Sequence, residues 1–312
     1  MKSNLRIVFM GTPDFATASL RGIIESGYNV VGVVTAPDKR AGRGRQLNQS
    51  SVKRFAIENQ LFLLQPQNLK DQQFIADLKL LKADIQVVVA FRKLPKVVWD
   101  MPPLGTFNLH ASLLPKYRGA APINWAVING EKQSGVTTFF IEEDIDTGNI
   151  ILQKEIDIDH SDNAGTLHDK LMKLGSHLVI DTLNIIGTKG IESKKQTGKP
   201  THAPKIFKAD CKINWSDELM AIHQKIKGLS PYPTAWTNIS ENKTLKIFDS
   251  SVIKTPHNFD LGTIITDDKK ELKVAVKGGF ITILEVQLSG KKRMKVAEFL
   301  RGFRFEKNTL LF

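Results

Sequence analysis

Along the first part of the chain, short apolar runs rich in β-branched residues alternate with stretches whose apolar positions recur at helical spacing. Leu5–Met10 (LRIVFM) is the first run, followed by a helix near Asp14–Ser26 and then by Asn29–Thr35 (NVVGVVT). A polar loop, a helix near Ser51–Asn59 and the short run LFLLQ come next. Ala83–Phe91 (ADIQVVVAF) is apolar almost without interruption, the pattern of a strand covered by helices on both faces. Leu104–His110, Gly135–Ile141 and the segment NIILQKEIDI read as further strands, and a helix is expected near Asn163–Ile186. Such alternation predicts an α/β fold, a doubly wound, mostly parallel Rossmann-like sheet. Ligands bind such sheets at the carboxyl ends of the strands.

From Gly187 to Asp210 the periodicity dissolves into a segment rich in Gly, Lys, Ser and Pro, which reads as a linker. SDELMAIHQKIKGL then predicts a helix, with Ser216 as its N-cap. Five short strands follow: TAWTNI, TLKIFDSSVI, GTIIT, LKVAVK and GFITILEVQL. That succession predicts a small β-barrel of the oligonucleotide-binding (OB-like) type. The expected organisation is a Rossmann-like domain over 1–188, a linker over 189–209 and a basic OB-like domain over 210–312.

A length of 312 residues accommodates two domains, and 41% hydrophobic with 24% charged residues fits a globular protein. The single cysteine, Cys211, excludes an intramolecular disulfide and a cysteine-based metal cluster. No apolar run reaches membrane-spanning length, and LRIVFM is too short for the core of a secretory leader, so a cytoplasmic protein is expected. Charge is uneven. Residues 1–200 carry 25 basic and 20 acidic side chains, whereas residues 201–312 carry 19 and 12. The second part is the more basic per residue and suits a polyanion such as nucleic acid, although a solvated surface has the same composition.

Asn108 and His110 are two apart at the end of an expected strand, so both side chains leave one face. His110 can exchange protons near neutral pH, and the Asn108 amide can donate to a developing oxyanion. Alone, such a pair could equally satisfy loop backbone at a strand end. Asp146, in EEDIDTG after the strand GVTTFFI, adds a carboxylate just beyond a neighbouring strand end. Together the three supply an oxyanion donor, a proton carrier and a group to orient the imidazole.

The segment NLHASLLPKYRG, with the later IDTG, resembles the folate-dependent formyltransferases, and the likeness extends from IVFMGTPDFA through VVTAPDKRAGRGRQL to the basic region after the linker. It is strongest toward members that formylate the methionyl group of charged initiator tRNA. The resemblance implies that Asn108, His110 and Asp146 are catalytic, with Asp146 preferred to Glu143 and Asp144 because it precedes Thr147-Gly148. It implies that Ser112, Leu113, Leu114 and Pro115 line the site of a 10-formyltetrahydrofolate donor, with Glu143 and Asp144 nearby. The loop Phe91, Arg92, Lys93, Leu94, Pro95 departs from the family pattern, one residue shorter, where it should approach the pterin. Lys39, Arg40, Arg43 and Arg45, interleaved with glycines, are expected to reach the acceptor end of the tRNA, with Lys291, Lys292 and Arg293 adding a second contact. No metal and no obligate protein partner are expected, and His168 and His177 read as ordinary surface or core residues.

Three other functions share parts of this pattern: transfer to an amino-sugar nucleotide or another small amine, hydrolysis of the formyl donor, and RNA binding on a silent scaffold. The Gly-Arg loop and the basic second part argue against the first. The filled catalytic positions argue against the last. MGTP is not a dinucleotide-binding fingerprint, and Ser112 lacks the GxSxG elbow of a serine hydrolase.

Overall fold

The computed structural model describes residues 4–41, 46–189, 192–306 and 309–312, with the side chains at 40–41, 46–47 and 188–189 outside the description. Two compact units form. The first comprises Met1–Gly119, Ser134–Ile156 and His168–His202, and the second comprises Ala120–Gln133, Asp157–Leu167 and Ala203–Phe312. Sequence order alone does not reveal this grouping, because two segments from the middle of the chain, Ala120–Gln133 and Asp157–Leu167, pack with its last third. The helix Pro122–Ile128, with Pro122 at its start, lies against the helix Leu219–Leu229. Asn124 Nδ2 donates to the Gly228 carbonyl at 2.7 Å, and Ile128 lies so close that Gly228 has no room for a Cβ.

The first unit is built on seven strands: β1 (Arg6–Gly11), β2 (Asn29–Val34), β3 (Leu63–Leu64), β4 (Ile85–Val89), β5 (Thr106–His110), β6 (Gln133–Phe140) and β7 (Ile150–Asp157). Their order is β7-β6-β5-β4-β1-β2-β3. β1 pairs in parallel with β2 and β4, β2 with β3, and β4 with β5, whereas β6 runs antiparallel to β5. Every residue of β4 is buried, which is why its sequence reads as one apolar run. Phe91, expected in this strand, lies beyond it.

Helices Asp14–Glu25, Ser51–Glu58 and the long Ala164–Lys189 stand close to their expected positions. Ser50 and Asp71 cap two helices by accepting the backbone N–H groups of Lys53 and Phe74, each at 3.0 Å. The second of these, Gln72–Leu80, shows weakly in the sequence because only Phe74 and Leu78 are fully buried on it. The chain leaves β1 for β2 on one side and returns to β4 on the other, so the crevice at the carboxyl ends opens between β1 and β4, beside β5.

In the second unit, β8 (Ala235–Ser240), β9 (Lys243–Ile253), β10 (Ile264–Thr266), β11 (Leu272–Val276) and β12 (Gly279–Leu288) form an antiparallel sheet in the order β8-β9-β12-β11-β10. All five expected strands form. The sheet curls as a half-barrel around a core that includes Ile222, Ile226, Leu245, Val274, Ile281 and Phe299. Residues 309–312 bridge its two edges. Leu311 N–H donates to the Gly262 carbonyl at 3.0 Å, and Asn238 N–H donates to the Phe312 carbonyl at 2.9 Å. Ser216 is not the cap of the following helix: Leu219–Leu229 starts after Glu218, and the Ser216 N–H is taken up by Asn214 Oδ1 at 3.2 Å.

Leu311 is 4% exposed and its side chain anchors that bridging segment in the core. Leu311→Ala is expected to cost about 2–4 kcal/mol, the range for emptying a leucine site whose surroundings close only partly. Urea unfolding followed by tryptophan fluorescence reads this directly. A loss under about 1 kcal/mol would show that the bridge is held by its backbone bonds alone.

Candidate active site

β5 places two polar side chains where the crevice opens. Asn108 and His110 share one face, opposite Phe139 and Thr137 of β6 in the antiparallel register. The His110 ring is 6% exposed and meets Phe139 edge-on, with centroids 6.5 Å apart. Its Nε2 lies 2.8 Å from the Tyr117 carbonyl oxygen. A carbonyl only accepts, so Nε2 carries the proton and donates. The proton-accepting position of the neutral ring is therefore Nδ1, which faces Asp146 Oδ2 at 3.7 Å. Among the described residues the Asn108 amide has no hydrogen-bond partner.

Asp146 is held from several sides. Its backbone is left-handed, with φ +57°, a conformation that Asp tolerates better than most residues. Oδ2 accepts the Gly119 N–H at 2.8 Å. Two residues on, Gly148 passes so close to the Phe140 carbonyl that a Cβ would stand 1.8 Å from its oxygen. The glycine of the DTG ending is thus a packing requirement of this loop. Glu143 and Asp144, on the same loop, are exposed.

The segment after β5 is tied to the sheet. Thr137 Oγ1 donates to the Ser112 carbonyl at 2.6 Å and accepts the Leu114 N–H at 3.2 Å. Gln153 Nε2 donates to the Leu114 carbonyl at 2.8 Å. Ser112 Oγ donates to the Lys116 carbonyl at 2.7 Å, so its hydroxyl serves the turn itself. Leu113 and Pro115 are half-buried while Leu114 is buried. Residues 112–115 thereby form a firm wall beside Asn108 and His110.

The loop after β4 does a structural job as well. The Arg92 guanidinium donates to the Gln67 carbonyl at 2.8 Å and to that of Pro66, and it lies over the Phe91 ring. Burial lowers its pKa from the usual arginine value. Leu94 is buried in the core with Phe74 and Val98, and Lys93 is exposed.

The basic loop near residue 40 is described only in part. Lys39 is exposed and opens a two-stranded ribbon, Lys39–Ala41 with Gln46–Asn48. Asp38, at its base, accepts Lys53 Nζ at 2.6 Å and Gln65 Nε2 at 3.0 Å, and these bonds hold its carboxyl below the usual range. The Arg40 side chain and all of Arg43 and Arg45 lie outside the described residues.

In the second unit Lys291 and Lys292 are exposed, whereas Arg293 pairs with Glu285 at 2.5 Å and stacks on Phe248. A basic and aromatic cluster that sequence reading passed over lies elsewhere on this unit. Lys208 and Lys212 stand over Trp236 at 5.9 and 5.8 Å, and Lys212 also stands over Phe312. Its members are scattered in the chain, so no local motif announces it. Among the described residues no group of three or more His, Cys, Asp or Glu could hold a metal ion, and no helix is long and apolar enough to cross a membrane.

Residues 5–183 match the formyl transferase family and residues 205–304 match the formyl transferase C-terminal domain. The chain belongs to the formyl transferase family and is a formyltransferase. Its similarity is to one kind of member in particular. It is 53% identical to the methionyl-tRNA formyltransferase of Bacteroides thetaiotaomicron over 97% of both chains. It is 54% identical to that of Flavobacterium johnsoniae, covering 96% of this chain and 97% of the relative. Among solved structures, the sugar 3N-formyl transferase WlaRD, crystallised with dTDP and 5-N-formyl-THF, shares the fold at a TM-score of 0.66 and 23% identity, covering 93% of this chain and 99% of that one.

Proposed function

We propose that this protein transfers the formyl group of 10-formyltetrahydrofolate to the α-amine of methionyl initiator tRNA, in the cytoplasm. The observation that carries the reading is the meeting of Asn108, His110 and Asp146 at one strand end, in a chain more than half identical to methionyl-tRNA formyltransferases along nearly its whole length. The uncharged amine attacks the formyl carbon and gives a tetrahedral oxyanion. The Asn108 amide donates to that oxygen, and protonated His110 places positive charge beside it. Asp146 faces His110 and stabilises its protonated form. As the intermediate collapses, the formyl–N10 bond breaks and the proton lost by the amine passes to N10, with Asp146 and His110 as stations on its path. Ser112 to Pro115 form a wall for the folate, with Phe91 to Leu94 and the exposed Glu143 and Asp144 around it.

Lys39, Arg40, Arg43 and Arg45 meet the acceptor end of the tRNA in this reading, while Lys291, Lys292 and Arg293 contact phosphates. The stacked Lys208, Lys212 and Trp236 offer a separate basic and aromatic patch on the second unit for the same polyanion. The deciding assay mixes protein and 10-formyltetrahydrofolate with charged initiator tRNA, free methionine or an amino-sugar nucleotide. Formylation of the tRNA at far higher kcat/KM is expected. Preference for the amino sugar would overturn the acceptor assignment, and donor consumption without a formylated amine would point to hydrolysis.

A further inference from the structure

The segment between residues 189 and 209 reads as a linker, yet it is fastened to the first unit on both sides of one glutamine. Lys194 and Ile150 exchange backbone hydrogen bonds at 2.8 Å each. Further along, Thr201 Oγ1 accepts the Tyr117 N–H at 2.8 Å, and the Thr201 carbonyl accepts the Arg118 N–H at 2.9 Å. Between these anchors stands Gln196, half-buried. Its Nε2 donates to the Asp146 carbonyl at 2.8 Å and to the Gly148 carbonyl at 2.9 Å. Its Oε1 accepts Arg118 Nε at 3.1 Å and Nη2 at 2.6 Å. The guanidinium fixes which end of the amide faces which way, since it can only donate.

These bonds close a loop around the catalytic carboxylate. The residues flanking Arg118 touch the site themselves: the Tyr117 carbonyl holds His110 Nε2, and the Gly119 N–H holds Asp146 Oδ2. Gln196 thus grips the left-handed backbone of Asp146 directly and its side chain through Arg118 and Gly119. A left-handed aspartate is held in a sparsely populated conformation and stays there only where neighbours over-determine it.

We propose that Gln196 is a positioning residue for formyl transfer, which fixes the Asp146 carboxylate against His110 without touching either substrate. This rests on the catalytic role given to Asp146 above. A displacement of about 1 Å at a reacting group can cost on the order of a hundredfold in rate. Gln196→Ala is therefore expected to lower kcat by about ten- to a hundredfold, with KM for donor and acceptor changed by less than about threefold. Gln196→Glu keeps an oxygen for Arg118 but turns a second oxygen on two carbonyls, so it should lose at least as much as alanine. Arg118→Lys retains the charge and loses the two-pronged bond, so it should lose less.

The test measures kcat and both KM values for these variants, with thermal unfolding in parallel, and repeats Gln196→Ala in an Asp146→Asn background. Residues that act as a unit are not additive, so the extra loss there should be under about threefold. An undiminished kcat for Gln196→Ala, a full multiplicative loss in the Asp146→Asn background, or activity retained by Gln196→Glu would each overturn the assignment. If wild type fails on charged tRNA the acceptor reading falls separately, and the same variants are scored on formyl-donor turnover with the amine that wild type accepts.

Discussion

His110→Ala and Asn108→Ala each remove most turnover, by an expected hundredfold or more, while leaving the fold and the affinity for tRNA close to wild type. In the proposed mechanism both side chains act on charge that exists mainly in the transition state, so their loss is expected to fall on kcat rather than on KM. The two variants differ in what they leave behind. Alanine at 108 deletes an amide that has no partner among the described residues, so no buried group is orphaned and stability is expected to be unchanged. Alanine at 110 empties a space against Phe139 and frees the Tyr117 carbonyl, so a modest drop in unfolding midpoint accompanies the kinetic loss. Steady-state kinetics on charged tRNA, with tRNA binding measured separately, makes the comparison. Either variant keeping more than about a tenth of wild-type kcat would be incompatible with the stabilisation assigned to it.

The second large effect belongs to Asp146. Asp146→Asn keeps the shape and an oxygen for the Gly119 N–H but removes the charge that faces His110 Nδ1. Nε2 is committed to the Tyr117 carbonyl, so a proton accepted by the ring arrives at Nδ1, next to this carboxylate. Without the carboxylate the protonated ring loses its counter-charge in a nearly dry site, and kcat is expected to fall by about a hundredfold or more. Asp144→Asn, on an exposed stretch of the same loop, is expected to change kcat by less than about threefold. Parallel kinetics of the two asparagine variants reads the difference. The reverse order of effects would move the catalytic role to Asp144.

The strand order of chemistry was open to sequence reading because the physics is local. An Asn and a His two apart on a strand must share a face, and a β-branched apolar run such as Ile85–Val89 must lie between helix layers. The five strands after residue 230 carry their own turn signals, and each forms where its pattern predicts. Asp146 was preferred to its acidic neighbours only as part of a motif, and the glycine of that motif has a tertiary reason: Gly148 must pass the Phe140 carbonyl.

Other features depend on contacts between distant residues and leave no trace in any window of sequence. Arg92 spends its guanidinium on carbonyls about twenty-five positions away, which its own neighbours do not foretell. Ser216 satisfies the local preference for a helix cap, yet packing starts the helix at Leu219. Composition made residues 189–209 a linker, because Gly, Lys and Pro describe a segment without a core of its own. What that segment does is set by where its two anchored ends bring Gln196, and only the tertiary structure decides that. The sequence by itself determined most of the elements, the class of sheet and the shared face of Asn108 and His110, since periodicity and side-chain chemistry act over a few residues. The grouping of segments into units, the tautomer of His110 and the grip on Asp146 came from tertiary contacts, since each rests on hydrogen bonds or packing between residues far apart in the chain.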